Sequence, residues 1–322
     1  MAANIELIIE NKGTIYQPEI EGEVTWDTER RGSPGTLKFN VIAENGFIFR
    51  EGNAVRMKWN GYKIFYGFVF TKDKKKETRT IEVTAYDQLR YLKNKDSYTY
   101  KNKTAGDVIK MIAKDFNLKT GTIAATGYKI PRRVEDNATL FDIIENALDD
   151  TLQNRKQMYV MYDDFGKIAL KNISNMKVPV LISEETANSY AYQSSIDSET
   201  YNKIKVYRSN EDTGNKDIYI AQSGANINSW GVLQYYDELK DGENGKEKVN
   251  SLLSLYNAKK RTLSITKAWG NCSVRAGSMI PVQLNLGDVQ LSNWMLVEKC
   301  KHYFSENQHQ MDLTLRGAGF DA

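Results

Sequence analysis

Apolar and polar residues alternate with a period of two over much of the first 95 positions. Val55, Met57 and Trp59 fall on one face of such a segment, with charged residues between them. Asn60-Gly61 follows directly, and this pair is a strong signal for a tight hairpin turn. Several short alternating segments separated by turn residues, without a long helical pattern, are typical of a small β-barrel or β-sandwich. Residues 1–95 are therefore predicted to form a first β domain, a barrel or a sandwich.

The period changes to that of an amphipathic helix in the middle of the chain. Apolar residues recur three and four positions apart over residues 105–116, and again over residues 140–148. Thr104 precedes the first segment and Thr139 the second, and each is followed three residues later by an aspartate, the spacing of a capping box. Helices with one apolar face must pack on other elements, so residues 96–190 are predicted to form a central α+β domain.

Alternation returns after Tyr201 and continues close to the end of the sequence, with one interruption. Loop-type residues and a third amphipathic helical pattern break the strands between positions 226 and 263. Residues 191–225 and 264–322 are predicted to form a second β-barrel that is discontinuous in sequence, and residues 226–263 a helical insertion. The predicted fold class is thus mainly β, with two β-barrels and small α+β or α/β insertions.

The two predicted barrels share a faint internal repeat. Gly52 and the alternating segment after it match Gly277 and the segment that follows it. Residues 81–85 likewise match residues 311–315, at the end of each set of strands. Internal repetition can decide an architecture, but strand alternation also produces such matches by chance. On the pattern alone, duplication and coincidence both stay open.

The composition narrows the function classes. The 322 residues include 44 Lys+Arg and 41 Asp+Glu, and the formal net charge of +3 is no signature of a nucleic-acid-binding protein. Two cysteines cannot form a disulfide framework and suit a reducing compartment. No apolar run approaches the roughly 18 residues that a transmembrane helix needs. We therefore expect a protein made in a cytoplasm, with no nucleic-acid recognition and no membrane insertion.

Four residues have the right type for zinc ligands, namely Cys272, Cys300, His302 and His309. Their spacing argues against a metal site, because Cys300 and His302 lie two residues apart on one strand and His309 follows beyond a turn. The alternative is a hairpin that carries the two histidines on its surface. We favour the hairpin and expect no bound metal.

No catalytic constellation is visible in the sequence. There is no Gly-x-Ser-x-Gly elbow, no Walker loop and no Rossmann glycine pattern. Three acidic pairs have the residue type of glycosidase acids, but neighbouring residues on a strand face opposite ways and such acids are usually solvated. The pairs are Asp149-Asp150, Asp163-Asp164 and Glu184-Glu185. The prediction is a protein that is not an enzyme and that uses no cofactor.

A family resemblance rests on several segments taken in order: residues 31–39 (RGSPGTLKF), residues 86–92 (YDQLRYL), the two helix starts, and the terminal hairpin from 294 to 315. This order resembles the baseplate hub proteins of contractile phage tails and phage-tail-like particles, of the XkdQ-like type found in PBSX-like prophages. In that family the hub has two tail-tube-like β-barrels with small α/β domains, and it assembles as a homotrimer.

The resemblance implies a structural function in the baseplate of a phage tail or tail-like particle. A trimer with two similar barrels per chain offers six similar surfaces to the sixfold tail tube and three to the threefold central spike. The tail tube, the spike and other baseplate proteins are the implied partners, with the tape measure as a further candidate. The implied site of assembly is the baseplate of such a particle, after synthesis in the bacterial cytoplasm.

Candidate partner-interface residues are Arg31 and Ser33 in the early turn-rich segment, and Lys72, Lys74, Lys75 and Lys76 at a predicted hairpin tip. A basic loop that projects from a protein can dock on an acidic neighbour. The lysines have an alternative role, because charge keeps a hairpin tip solvated and discourages strand pairing at an edge.

Two other functions are open at this point. Residues 106–113 look like the first helix of a LysM domain, which would make the chain a cell-wall-binding module. Such a module accounts for only about fifty residues and leaves the predicted barrels unexplained. The other function is that of a tail-associated peptidoglycan hydrolase.

Overall fold

The computed structural model describes residues 5–43, 47–197, 199–209, 215–239, 243–287 and 290–317. Within these ranges the chain is mostly β, with a few short helices. The strands are β1 (Ile5–Asn11), β2 (Thr14–Tyr16), β3 (Ile20–Glu29), β4 (Thr36–Ile42), β5 (Ala54–Trp59), β6 (Tyr62–Lys74), β7 (Thr80–Tyr86), β8 (Lys95–Lys103), β9 (Thr120–Ile123), β10 (Ile130–Thr139), β11 (Tyr159–Asp163), β12 (Ile168–Asn172), β13 (Ser189–Ser195), β14 (Lys203–Ser209), β15 (Lys216–Gln222), β16 (Gln234–Glu238), β17 (Lys260–Trp269), β18 (Met279–Asn285), β19 (Gln290–Ser305) and β20 (Gln308–Gly317). The α-helices are α1 (Ala105–Asp115), α2 (Leu140–Arg155), α3 (Gly224–Trp230) and α4 (Gly245–Tyr256), and 3-10 helices span Gln88–Lys93 and Ile173–Asn175. None of the helices in the described ranges is long and apolar enough to cross a membrane.

Strands β1 to β7 form the first strand group. Their hydrogen-bonded order is β2-β1-β5-β6-β7-β4-β3, and all neighbours are antiparallel. Alternate residues of each strand point into one apolar core, so that Leu7, Phe39 and Met57 are almost fully buried. The predicted hairpin turn joins β5 to β6, and both Asn60 and Gly61 have the positive φ that this turn requires.

The second strand group contains β13, β17, β18, β19 and β20. Their order is β13-β17-β20-β19-β18, again antiparallel throughout. The segment 177–182 lies along the outer edge of β18, to which two isolated parallel bridges join it. Ile182, Ile265 and Leu313 are buried in the core of this group.

One long strand joins the two groups into a single 12-stranded sheet. β19 pairs with β18 along its first half and with β3 of the first strand group from Lys299 to Phe304. The mainly β fold class with small helical units is confirmed. The predicted closure of two barrels is not seen in the pairing of the described strands, whose order runs openly from β13 to β2. In the first strand group the outer edge of β3 pairs with β19, and in the second the outer edge of β13 pairs with no described strand.

The central unit comprises β8 to β12 with helices α1 and α2. β8 and β10 form an antiparallel ribbon, and β9, β12 and β11 form a three-stranded sheet. Both helices begin as the sequence predicts, because the side chain of Thr104 accepts the N–H of Asp107 and that of Thr139 accepts the N–H of Asp142. The apolar faces of α1 and α2 meet in one core with residues of this sheet.

Strands β14, β15 and β16 form a separate three-stranded sheet, in which β14 runs antiparallel to β15 and parallel to β16. Ile204 and Val206 on β14 are buried with Val249 and Leu252 on α4. The structure differs here from the expectation that residues 191–225 belong to the second barrel, since only β13 of that range pairs with the large sheet. The cause is α4, whose apolar face covers β14 in place of the large sheet. The predicted domain limits themselves stay a prediction.

Candidate assembly surfaces

The two strand groups repeat the same topology. The order β3-β4-β7-β6-β5 in the first group corresponds to the order β13-β17-β20-β19-β18 in the second. The registers correspond as well, because Leu37 faces Ala85 on β7 and Leu263 faces Leu315 on β20. A shared order and a shared register do not arise from strand alternation alone. The repeat that the sequence left open is therefore a duplication in the structure.

Irregular features of the strands repeat too. The register between β6 and β7 shifts between Val69 and Thr71, and the register between β19 and β20 shifts at the equivalent place, between Val297 and Lys299. Such bulges are specific local features rather than consequences of alternation. They fix which residues of β6 and β19 are equivalent.

The glycine match seen in the sequence has a structural basis. The N–H of Gly52 donates to the carbonyl of Val69 at 2.7 Å, and the N–H of Gly277 donates to the carbonyl of Val297 at 2.8 Å. Their φ angles are +82° and +92°, a region that L side chains rarely adopt. Glycine at both positions is therefore explained by the same turn.

Comparison of the two strand groups identifies two strand edges that are unpaired in the described residues, although the equivalent edges, those of β3 and β19, pair with each other. Within the chain β3 pairs with the second half of β19. The equivalents of these two elements are β13 and the second half of β6, Thr71–Lys74. β13 pairs with β17 on one side, and Thr71–Lys74 pairs with β7 on one side. In the part of the chain that the structure describes, no strand pairs with their other edges.

Four of the sequence-predicted interface residues lie at one of these edges. Lys72 and Lys74 belong to the second half of β6, and Lys75 and Lys76 follow it in an exposed turn. Lys72 is anchored, because its Nζ donates to the carbonyl of Phe49 at 2.6 Å and lies 4.1 Å from the centre of the Phe49 ring. The three lysines after it are exposed to solvent.

The other two predicted interface residues, Arg31 and Ser33, follow β3 and line a cavity of about 630 Å³, whose other walls are α2, the end of α4, β11 and strands β17 and β20 of the second strand group. Arg31 Nε lies 3.1 Å from Glu145 Oε2, and Arg31 Nη2 lies 2.7 Å from Asp149 Oδ2. Arg31 thus contacts α2 within the chain, and the structure does not bring it together with Lys72, Lys74, Lys75 and Lys76. A role of all six residues in partner binding stays a prediction.

The four candidate metal ligands come together where β3 meets β19. His302 Nδ1 lies 2.8 Å from His309 Nε2, Cys300 Sγ lies 3.1 Å from His302 Nε2, and Cys272 Sγ lies 3.9 Å from His309 Nδ1. These contacts form a row rather than converge on one point. Among the described residues, no group of three or more His, Cys, Asp or Glu is placed to hold a metal ion. The expectation of surface histidines is wrong for His302, which is fully buried.

The histidine pair is held neutral by its surroundings. Trp26 of β3 stacks on His302 with ring centres 5.1 Å apart, and His302 Nε2 lies 2.8 Å from the carbonyl oxygen of Val274. Burial lowers the pKa of His302 to about 3 and the pKa of His309 to about 4. Burial raises the pKa of Cys272 to about 11, so this side chain is a protonated thiol at neutral pH. The arrangement fits a packed joint between the two strand groups.

We expect the stability difference between the wild type and a His309→Asn variant to depend on pH. The pKa of His309 is about 4 in the folded protein and returns to about 6.5 on unfolding, so only the unfolded chain takes up this proton between those values. The wild type should therefore lose about 2 kcal/mol of unfolding free energy through this residue between pH 7.5 and pH 5, and the variant should not. Urea unfolding at both pH values measures the effect, and an unchanged difference would contradict it.

Arg275 forms a polar joint between the second strand group and the central unit. Its Nη1 donates to the backbone carbonyl of Asp163 at 2.9 Å, and its guanidinium lies 4.2 Å from the centre of the Tyr162 ring. Burial lowers the pKa of Arg275 and raises the pKa of Asp163 to about 6. The carboxyl of Asp163 also accepts the N–H of Gly166 at 2.6 Å.

The first strand group reaches the same joint through Asp87, which follows β7. Its carboxylate accepts the N–H of Gly35 at 2.8 Å and the N–H of Leu89 at 2.9 Å. Burial and then the nearby Asp163 raise the pKa of Asp87 well above its ordinary value. Sequence reasoning missed this joint, although extending the Gly52–Gly277 match two residues backwards aligns Arg50 with Arg275.

The carboxyl groups of the three acidic pairs do not face a common space in which a substrate could bind. Asp149 contacts Arg31, whereas Asp150 accepts a hydrogen bond from Arg133 Nη1 at 2.6 Å. Asp163 is buried in the joint just described, and Glu184 and Glu185 are exposed to solvent. The arrangement of these described carboxylates is that of structural ion pairs and surface acids.

Comparison with known proteins agrees with this architecture. A profile of the YqbQ-like family matches residues 24–316. The chain is 30% identical over 320 residues to the protein YqbQ of Bacillus subtilis (strain 168), covering 96% of this chain and 95% of that protein. It is 28% identical over 319 residues to the phage-like element PBSX protein XkdQ of the same organism, covering 96% of each.

A solved structure shares the fold. The 43 kDa tail protein of prophage MuSo2 from Shewanella oneidensis aligns with a TM-score of 0.69 at 14% identity, over 96% of this chain and 98% of that one. The resemblance to XkdQ-like baseplate proteins that the sequence predicted is confirmed by the sequence matches. With a profile match over most of its length, the chain belongs to the YqbQ-like family.

Proposed function

We propose that the chain is a structural baseplate hub that forms a homotrimer and joins the sixfold tail tube to the threefold central spike of a contractile phage tail or tail-like particle. The observation that carries the proposal is the duplication with its two unmatched edges. β3 and β19 join two similar strand groups within one chain, and β13 and Thr71–Lys74 are the edges left for the same contact between chains.

Pairing of β13 of one copy with Thr71–Lys74 of the next is a head-to-tail contact. Such a contact closes into a ring when the rotation fits, and otherwise continues as a filament. If each step between similar strand groups is one sixth of a turn, three chains close with six groups. The ring then matches a sixfold partner on one side and a threefold partner on the other.

The residue pairing between β3 and β19 within the chain defines the pairing expected between β13 of one copy and Thr71–Lys74 of the next. Lys301 faces Asp27 between β19 and β3. Through the shared registers, Asp73 on β6 is the equivalent of Lys301, and Gln193 on β13 is the equivalent of Asp27.

A double variant, Asp73→Cys with Gln193→Cys, tests this register. Residues that face each other on neighbouring strands have Cα atoms within the range that a disulfide bridges. Mild oxidation of the concentrated protein, alone and with the tail tube protein as a template, should give covalent dimers and trimers on a non-reducing gel, with the trimer as the largest species.

The single variants Asp73→Cys and Gln193→Cys are the matched controls, since each offers only half of the bridge. They should give no trimer. A ladder that continues beyond the trimer would indicate an open filament. No cross-linking with or without the tube protein would contradict the head-to-tail contact and, with it, the proposed ring.

We further propose that the chain acts through binding rather than catalysis, without a cofactor. Its relative XkdQ is named as a protein of the phage-like element PBSX, and its structural neighbour as a prophage tail protein. Other baseplate proteins are proposed partners beside tube and spike. A LysM-like role is not favoured, because α1 buries its apolar face in the core of the central unit. Clearing of peptidoglycan on a zymogram would favour a hydrolase instead.

A further inference from the structure

One loop occurs twice in the duplicated fold with the same internal hydrogen bonds. The N–H of Asn53 donates to the carbonyl of Arg50 at 3.1 Å, and the N–H of Ser278 donates to that of Arg275 at 3.0 Å. The side-chain oxygens of Asn53 and Ser278 in turn accept the N–H of Arg50 at 2.8 Å and of Arg275 at 3.1 Å. The two loops, Arg50–Asn53 and Arg275–Ser278, are thus equivalent.

In the second strand group this loop is a docking site that the chain itself fills. The hairpin of β11 and β12 covers it with the segment from Tyr159 to Asp163. Arg275 contacts the carbonyl of Asp163 and the ring of Tyr162 at the distances given above. A Cβ on Gly277 would lie 2.6 Å from a methyl carbon of Val160, so the covering strand packs closely on the loop.

In the first strand group the equivalent loop is open. Arg50, Glu51 and Gly52 are exposed, and a Cβ on Gly52 would meet no atom within 4 Å. The guanidinium of Arg50 makes no hydrogen bond to any residue that the structure describes. The same backbone construction is therefore covered in one copy and uncovered in the other.

Charged side chains of both signs and two exposed isoleucines surround the open loop. Ile15 is 62% exposed and Ile48 is 57% exposed, and the side-chain amide of Asn11 donates to the carbonyl of Ile48 at 2.9 Å, which holds these loops together. The exposed charged residues on the neighbouring strands and turns are Lys12, Arg50, Lys75, Lys76 and Arg79, against Glu10, Glu19, Glu51 and Glu77.

We propose that the Arg50–Asn53 loop and the surface around it dock an acidic, aromatic segment of another protein, as the equivalent loop docks Tyr159–Asp163 within the chain. A guanidinium can stack on an aromatic ring and bind a carbonyl or carboxylate at once, which an ammonium cannot do as well. The exposed isoleucines add an apolar contact that a nucleic acid would not use. The partner surface is therefore a protein with carboxylates beside an aromatic side chain.

This inference does not depend on the proposed trimer, because it compares two loops of one chain. The probe is a cyclised, fluorescently labelled peptide of residues 159–172, the hairpin that fills the equivalent loop. It should bind the full-length protein with a Kd below about 1 mM, and Arg50→Ala should weaken binding at least about fivefold. Hydrogen exchange with bound peptide should show protection at residues 47–53.

The controls separate this contact from general attraction between charges. Arg132→Ala removes an exposed arginine of the central unit and should leave peptide binding unchanged. A peptide with both Asp163→Asn and Asp164→Asn should bind at least about fivefold more weakly than the parent peptide. The inference is overturned if no peptide binds, if Arg50→Ala and Arg132→Ala have equal effects, or if a short DNA duplex displaces the peptide at lower concentration than unlabelled peptide does.

Discussion

Replacing Arg275 by methionine should lower the free energy of unfolding by about 1–3 kcal/mol at pH 7.5, because it leaves the buried carbonyl of Asp163 without its donor and removes the cation near the buried carboxyl of Asp163. The guanidinium lies between the ring of Tyr162 and the carbonyl of Asp163, and its Nε is fully enclosed. Methionine keeps much of the side-chain volume, so the loss reports mainly on charge and hydrogen bonding. Urea unfolding of the full-length protein measures it.

Arg50→Met is the matched control, since Arg50 occupies the equivalent loop but is exposed. Its effect should stay within about 0.5 kcal/mol, as is usual for surface substitutions. Equal costs for the two variants would show that the loop itself, rather than the buried joint, determines stability.

The cost of Arg275→Met should also shrink on acidification. Burial raises the pKa of Asp163 to about 6, so at pH 5 the folded protein carries this carboxyl in its neutral form. A neutral carboxyl no longer needs a cation beside it. A cost that is as large at pH 5 as at pH 7.5 would contradict the role of Asp163 in the joint.

Gly277→Ala should destabilise the protein by about 2–5 kcal/mol, from two separate causes. The first is backbone strain, because Gly277 has φ +92°. The second is overpacking, because the new Cβ would lie 2.6 Å from a methyl carbon of Val160.

Gly52→Ala isolates the first cause. Gly52 has φ +82° and the same hydrogen bond to a valine carbonyl, but nothing lies within 4 Å of its Cβ position. It should cost about 1–2 kcal/mol, the strain alone. Thermal unfolding of both variants gives the comparison, and a Gly52→Ala variant as unstable as Gly277→Ala would rule out the contact with Val160 as the cause.

Local signals in the sequence predicted local structure well. The threonine caps at Thr104 and Thr139 set the starts of α1 and α2, because a side chain that accepts the first free N–H groups acts within one turn. The Asn60-Gly61 turn was predictable for the same reason. The match between Gly52 and Gly277 pointed to a real duplication, since glycine at a positive φ marks a fixed turn rather than a strand face.

The sequence could not show which elements, far apart along the chain, contact each other in the fold. Alternation in β14 specifies which face is buried but not which strand lies beside it, so the separate sheet with β16 was missed. Arg50 and Arg275 stand in the same local loop and differ only in what covers them. His302 looked like a surface residue because nothing near it in sequence indicates that Trp26 packs on it.

The pairing of β3 with β19 has a mechanical consequence. Hydrogen bonds between antiparallel strands lie perpendicular to the strands, so a pull along the strands loads all of them together, whereas a pull across the strands opens them one after another. The paired stretch from Glu29–Lys299 to Val24–Phe304 is the direct strand-to-strand connection between the two strand groups. The joint should therefore resist shear along β19 far better than peeling away from it.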